Sequence, residues 1–384
     1  MPMYWALKRW KDADRARAID NILALRRHVA KSVPQRTATE TLLLATWNIR
    51  DFDSNKFRHG PRLAESYHYI AEVIAAFDLV ALQEVTEDLT ALERVMALLG
   101  PSWKYIATDV TEGPSGNGER MVFVYDANKV RFLNIAGEIV LPKSALVGGA
   151  EQFARSPFLV RFQSGWFKFN LCTVHMYFGE ESGASYARRV AEIDSIAGFL
   201  KKRAAEDGQN YVLLGDMNVV SPEDATMKAL RKHKFVLPAD LTEDSDAMRW
   251  VSNMAGDKHY DQIAFLPRKD ELQLGASANN AGVLDYYKAV FLPTDAETYF
   301  PLGKANGKWP ATEAARKAYY TKQWRTWQMS DHLPLFIELR IDFTDPYLKR
   351  IRKGSTPVVP VPAPVVPEPP LPGPPVPGSE VPPT

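Results

Sequence analysis

The chain of 384 residues predicts an α/β fold in which helices cover β-sheets and the polar chemistry collects where strands end. Three observations point there. From Leu42 onward, short apolar runs alternate with segments of helical periodicity. Polar residues close those runs, as Asn48 closes Leu42 to Trp47 and Glu84 closes Leu79 to Leu82-Gln83. The stretch Tyr211-Val-Leu-Leu-Gly-Asp-Met-Asn218 condenses the pattern: an apolar strand, Gly215 for a turn, then Asp216 and Asn218 two apart, projecting from one side of the strand end. A carboxylate there can hold a hard cation or polarise water, and an amide can donate to a phosphate oxygen without adding negative charge. Taken alone, the stretch fits an ordinary strand-to-turn transition better.

Composition narrows the class. With 46% hydrophobic and 24% charged residues, the chain can bury the core of one large domain or two smaller ones. The net charge of +1 is uneven. Residues 1–40 carry nine Lys and Arg against four Asp and Glu, a local +5 that leaves −4 over the rest. The body is therefore no general polyanion binder, and nucleic-acid affinity must come from a local basic patch or the N-terminal arm. A single cysteine, Cys172, excludes an intramolecular disulfide. No apolar stretch approaches a membrane span, and the first residues lack an uninterrupted apolar signal core, so a reducing cytoplasm is the simplest home.

Taken in order, residues 12–31 form a helix on Ile19, Ile22, Leu23 and Val29, expected to pack on the body rather than on DNA or a membrane. The strand at Leu42–Trp47 leads through a polar loop to a helix over Arg62–Ala76 and a strand at Leu79–Leu82. A helix follows near Leu89–Leu99, then a loop over Asp109–Gly118 and a strand at Met121–Tyr125 preceded by Glu119. Strands continue through Val130–Leu141, Phe158–Phe162 and Trp166–Val174, the last delivering His175. A helix over Tyr186–Arg203 precedes the strand at Tyr211.

Past Ser221 the pattern weakens. Residues 238–258 read as a loop, His259–Leu266 as a strand, and 268–328 as an irregular insertion with one helix, Ala311–Trp327. In that helix Tyr319, Tyr320, Trp324 and Trp327 alternate with basic residues, a spacing that serves a core more often than a base-stacking surface. A strand at Leu335–Ile341 follows Ser330-Asp331-His332. Thr356–Thr384 holds 13 of the 28 prolines and is expected to be extended and solvated, a spacer or a ligand for a proline-reading partner. The expected organisation is a basic arm at 1–40, a main domain at 41–345, and a linker with a proline-rich tail at 346–384.

Eight stretches, in this order, resemble the endonuclease/exonuclease/phosphatase superfamily and its deoxyribonuclease I branch: Trp-Asn48-Ile-Arg, Gln-Glu84-Val, Glu119-Arg-Met-Val-Phe-Val-Tyr, Phe-Ala-Arg155-Ser-Pro, Val-His175, Gly-Asp216-Met-Asn218, Tyr-Asp261-Gln-Ile and Ser-Asp331-His332. The resemblance covers about residues 42–342. It implies a four-layer sandwich of two mixed sheets flanked by helices, with one site at the strand ends. It also implies that Glu84 binds a divalent metal with Asn48 and Asp331 close by, most naturally Mg2+, with Mn2+ or Ca2+ as alternatives. His332, oriented by Asp261, is expected to take a proton from water, and His175, oriented by Glu119, to protonate the leaving oxygen. Asp216 and Asn218 position metal, water or phosphate, and Arg155 grips a phosphate oxygen. Each imidazole is expected to have its pKa raised by its carboxylate. The other five histidines, His28, His59, His68, His233 and His259, are read as structural or solvated.

The implied activity is metal-dependent phosphodiester hydrolysis, most naturally by a DNA endonuclease. The alternatives are a phosphoesterase for a phospholipid head group or sugar phosphate, and a non-catalytic binding module. Thr86, followed by Glu87 and Asp88, stands where the deoxyribonuclease has an arginine that enters the minor groove, and like charge there opposes duplex binding.

Overall fold

Two mixed sheets lie face to face. The first holds β1 (Thr41–Phe52), β2 (Leu79–Thr86), β3 (Trp103–Ala107) and β4 (Glu119–Asp126). The second is built from β5 (Arg131–Glu138), β6 (Phe158–Ser164), β7 (Phe167–His175), β8 (Asn210–Asp216) and β9 (Asp261–Leu266), in that order. The chain then returns to the first sheet with β10 (Ala281–Val283) and β11 (Leu335–Arg340), completing the order β10-β11-β1-β2-β4-β3. The pairs β1–β2 and β7–β8 are parallel and the other pairs antiparallel. Between the sheets Phe123 stacks on Phe158 at 5.5 Å, and Gln83 donates to Thr173 Oγ1 at 2.9 Å.

The computed structural model describes residues 2–111, 118–238, 250–268, 271–304 and 308–352. It divides into two units, Met1–Asp342 and Phe343–Thr384. Everything below concerns the first. The proline-rich segment falls outside the described residues.

Helices α1 (Asp12–Ser32), α2 (Ala64–Ala75) and α3 (Thr90–Leu99) share one apolar core with the first sheet. The helix α1 begins and ends within a residue of its expected bounds and buries Ala18, Ile22 and Leu25. Burying side chains the size of Ile22 and Leu25 stabilises by roughly 1.5–3 kcal/mol each. Arg17 adds an ion pair to the buried Glu65 at 2.8 Å. This helix packs on the body, within the same unit as the sheets.

The second sheet shares its core with α4 (Gly183–Asp207) and α5 (Ala225–Lys232), which completes four layers. Every residue of β8 is buried, which is why Tyr211–Leu214 is uniformly apolar rather than alternating. Gly215 has φ +135°, and any Cβ there would collide with the carbonyl oxygen of Val174 on the neighbouring strand. Only glycine lets β7 and β8 run together as far as His175 and Asp216, which are register partners.

Two expectations need correction. The stretch 268–328 is not irregular. It supplies the edge strand β10, a helix α6 (Ala296–Gly303), and a run of α7 (Glu313–Tyr319), a π turn (Tyr320–Trp324) and α8 (Arg325–Gln328). Tyr320, Trp324 and Trp327 are buried in it, as a core requires. The short helix α5 had no expected counterpart. The polar loop foreseen after Trp47 begins later than expected, because β1 continues to Phe52 through an irregularity in its pairing with β2 between Asn48 and Phe52. Such a bulge re-aims side chains at a sheet edge.

Candidate active site

Strands from both sheets end together. β1 carries Asn48, β2 Glu84, β4 Glu119, β7 His175, β8 Asp216 and β9 Asp261, while His332 stands just before β11. Two carboxylate–imidazole pairs face each other. Nδ1 of His332 lies 2.9 Å from Asp261 Oδ2, and Nδ1 of His175 lies 3.0 Å from Glu119 Oε1. Both Nε2 atoms approach one carboxylate oxygen, Asp216 Oδ2, His175 at 3.7 Å and His332 at 3.8 Å. The His332–Asp261 contact is a hydrogen bond, whereas Glu119 lies close to His175 Nδ1 without hydrogen-bonding it.

The protonation differs from the expectation. Burial opposes the charged form of His332, but Asp261 and Asp216 outweigh it and push the pKa up to about 10. His175 is lowered to about 4, by burial first and then by the positive charge of Arg155. The expected rise at His175 is thus overturned, by burial first and then by Arg155, which also ion-pairs with Glu119 through Nε. Burial also lowers the Arg155 pKa. Glu84 is held below the usual carboxylate range despite burial, by His175 and by the Asn48 hydrogen bond. Asp216 is likewise lowered against its burial, by His332 and His175.

Asn48 links the two halves. Its Nδ2 donates to Glu84 Oε1 at 2.9 Å and to Asp216 Oδ2 at 3.0 Å, so two ionised carboxylates from different sheets converge on one amide. Glu84, Glu119 and His175 form one cluster with the spacing of metal ligands, and Asp216, Asp261 and His332 form another. Each cluster offers two carboxylates, which suit a hard divalent cation, beside one imidazole nitrogen. Asn218 donates to the Met176 carbonyl at 2.9 Å, and its own N–H donates to Asp216 Oδ1 at 2.9 Å, which fixes the carboxylate. Asp331 is not brought to Glu84. It is half-exposed, pairs with Arg50 at 3.2 Å and belongs to neither cluster.

Four non-glycine residues around the site have positive φ: Arg50 (52°), Asp51 (44°), Glu84 (61°) and Asn218 (51°). Such backbone costs on the order of 1–3 kcal/mol per residue and persists only where the surroundings over-determine it. The holding groups include residues that carried no sequence signal. Arg62, buried two residues before α2, donates to the carbonyls of Ile49 (2.9 Å), Arg50 (2.8 Å) and Met329 (3.2 Å) and pairs with Asp53 at 2.9 Å. Glu192 of α4 accepts from the backbone N–H groups of Ala154 (2.9 Å) and Tyr177 (3.0 Å), bracketing Arg155 and His175. Arg50 and Ser330 did lie inside recognisable motifs. Ser330 Oγ donates to the Asn48 carbonyl at 2.6 Å and accepts from the His332 N–H at 3.0 Å.

Comparison with known proteins agrees with this geometry. A deoxyribonuclease of Thioalkalivibrio sp. (strain K90mix) is 26% identical over 259 residues, which cover 65% of this chain and 63% of that protein's length. An endonuclease/exonuclease/phosphatase family protein from Bacteroides thetaiotaomicron superposes with a TM-score of 0.50 at 16% identity, over 79% of this chain and 98% of that one. The human Nocturnin catalytic domain gives 0.49 at 12% identity, over 78% and 94%. Residues 45–253, more than half the chain, match the Endonuclease/Exonuclease/phosphatase family, and on that match and its fold the chain belongs to this family.

Proposed function

We propose that the chain is a metal-dependent phosphodiester hydrolase whose substrate is DNA, cut internally. The observation that carries this reading is the opposed pair of imidazoles, with both Nε2 atoms within 3.8 Å of Asp216 Oδ2 beside the Glu84–Asn48 pair. In-line hydrolysis needs a proton taken from water and a proton given to the alkoxide that leaves. His175 is neutral at pH 7 and its Nε2 is the acceptor; His332 is charged and its Nε2 is the donor. This reverses the roles expected from sequence. Asp261 holds the His332 tautomer, Glu119 stands beside His175 Nδ1, and Asp216 steadies the imidazolium of either ring. A divalent cation at Glu84 and Asp216, most naturally Mg2+, would offset charge accumulating on the phosphate. The similarity to a protein named deoxyribonuclease supports DNA as the substrate.

The test is incubation of the full chain with supercoiled plasmid, single-stranded DNA, RNA, a small diester and a phosphomonoester, each with magnesium. Nicking or linearisation of the plasmid, or internal cutting of the single strand, is expected. Hydrolysis of the monoester alone would overturn the reading in favour of a small-phosphoester enzyme.

A further inference from the structure

Two exposed phenylalanines stand one aromatic step from the catalytic cluster. Phe57, 49% exposed, packs on the buried Trp327 at 4.9 Å. The same indole carries the stacked His59 ring at 5.0 Å and the Arg50 guanidinium at 4.2 Å, and Arg50 pairs with Asp331, next to His332. Phe178, 40% exposed, meets Tyr260 at 6.2 Å, and Tyr260 stacks on the His332 ring itself at 5.5 Å. An isolated exposed phenylalanine needs no explanation. Here, however, both are held in the same way. Lys308 Nζ donates to the Phe57 carbonyl at 2.7 Å, and the buried Arg189 donates to the Phe178 carbonyl at 3.0 Å. Asn55 closes the turn beneath Phe57, its carbonyl accepting from Arg58 N at 2.9 Å and its side chain from Gly60 N at 3.0 Å. Lys56 and Arg58 flank the ring and are exposed.

Phe57, beside the exposed Arg58 and a Lys56 that pairs with Asp51, is the kind of ring that binds a single strand, because rings stack on bases and cations follow the backbone. Phe178, followed by the exposed Glu180 and Glu181, contributes the ring alone. A duplex hides its base faces, and the exposed Glu87 and Asp88 after β2 repel its second backbone. Resting on the hydrolase reading above, we infer that Phe57 and Phe178 seat unpaired bases of a single strand whose phosphate lies at the His175–His332 pair, making unpaired nucleic acid the substrate class.

Fluorescence anisotropy in chelator tests this with the full chain, using a labelled single strand, the same strand with abasic sites in place of its bases, and the corresponding duplex. The abasic strand keeps every phosphate, so the comparison isolates stacking. The expected result is tightest binding of the single strand, with Phe57→Ala and Phe178→Ala each weakening it by about fivefold or more. Affinity for the abasic strand should stay as it was, and Phe57→Trp should retain tight binding. Tighter binding of the duplex, equal binding of the abasic strand, or an equal loss for both strands in the alanine variants would overturn the inference. Cleavage of the same three substrates is followed separately with magnesium. Failure to cut any of them would count against the hydrolase reading while the anisotropy still decides whether the rings stack on bases.

Discussion

Nδ1 of His332 stands 2.9 Å from Oδ2 of Asp261, and this contact opposes the burial that would otherwise strip the imidazole of its proton. Asp261→Asn removes the charge and keeps the shape. The His332 pKa should fall from about 10 toward or below the ordinary value of about 6.5. Because His332 is read as the proton donor, the alkaline limb of the rate profile should move to lower pH. An unchanged alkaline limb in turnover measured across pH would show that His332 does not set it.

For the unaltered protein the profile should be a broad plateau rather than a narrow bell. Activity rises as His175 loses its proton near pH 4 and falls as His332 loses its own near pH 10. A sharp optimum near 6.5 would contradict these shifts.

The two histidines separate on leaving group. His175→Ala and His332→Ala should each slow cleavage of an alkyl diester by about 100-fold or more. On a nitrophenyl ester, whose leaving group departs without a proton, loss of His332 should matter little and loss of His175 should stay severe. The opposite pattern would restore the roles first expected from sequence.

Glu84→Gln should abolish nearly all metal-supported hydrolysis. It keeps the side-chain volume and one acceptor for Asn48 Nδ2 or the Asp51 N–H, so the melting temperature should move little. Full activity of the unaltered chain in excess chelator would sink the metal assignment.

Folding stability should respond to the same groups in opposite directions. The raised pKa of His332 contributes stability below about pH 6.5 that is lost as pH climbs through 10, whereas the lowered pKa of His175 contributes stability above about 6.5 that is lost as pH falls through 4. His332→Asn should therefore flatten the alkaline side of a melting-temperature profile and, by releasing Asp216 toward the ordinary carboxylate range, shift the acid side too.

Much of this was legible in the sequence because strand-end chemistry announces itself. Asp216 follows an apolar run too uniform for a half-solvated strand, and His175 and Glu84 close similar runs. Partnerships were less legible. Nothing near Asp331 says that it faces Arg50, a residue some 280 positions away, or that Arg155 lies against Glu119 and depresses the histidine beside it. Arg62, two residues before α2, and Glu192, on α4, were invisible because they reach backbone atoms whose identity carries no side-chain signal. The weak reading past Ser221 has a simpler cause: α5 is eight residues long and β10 three, too short for periodicity to show.

The pairing of β1 with β11 also sets when the protein becomes active. Ribosomes release the amino-terminal half first, so Asn48, Glu84 and His175 emerge while Asp261, His332 and the strand that anchors it are still unmade. A nascent chain can hold one half of the proton relay but not both. The two halves of the site meet only when almost the whole of the folded body has left the exit tunnel.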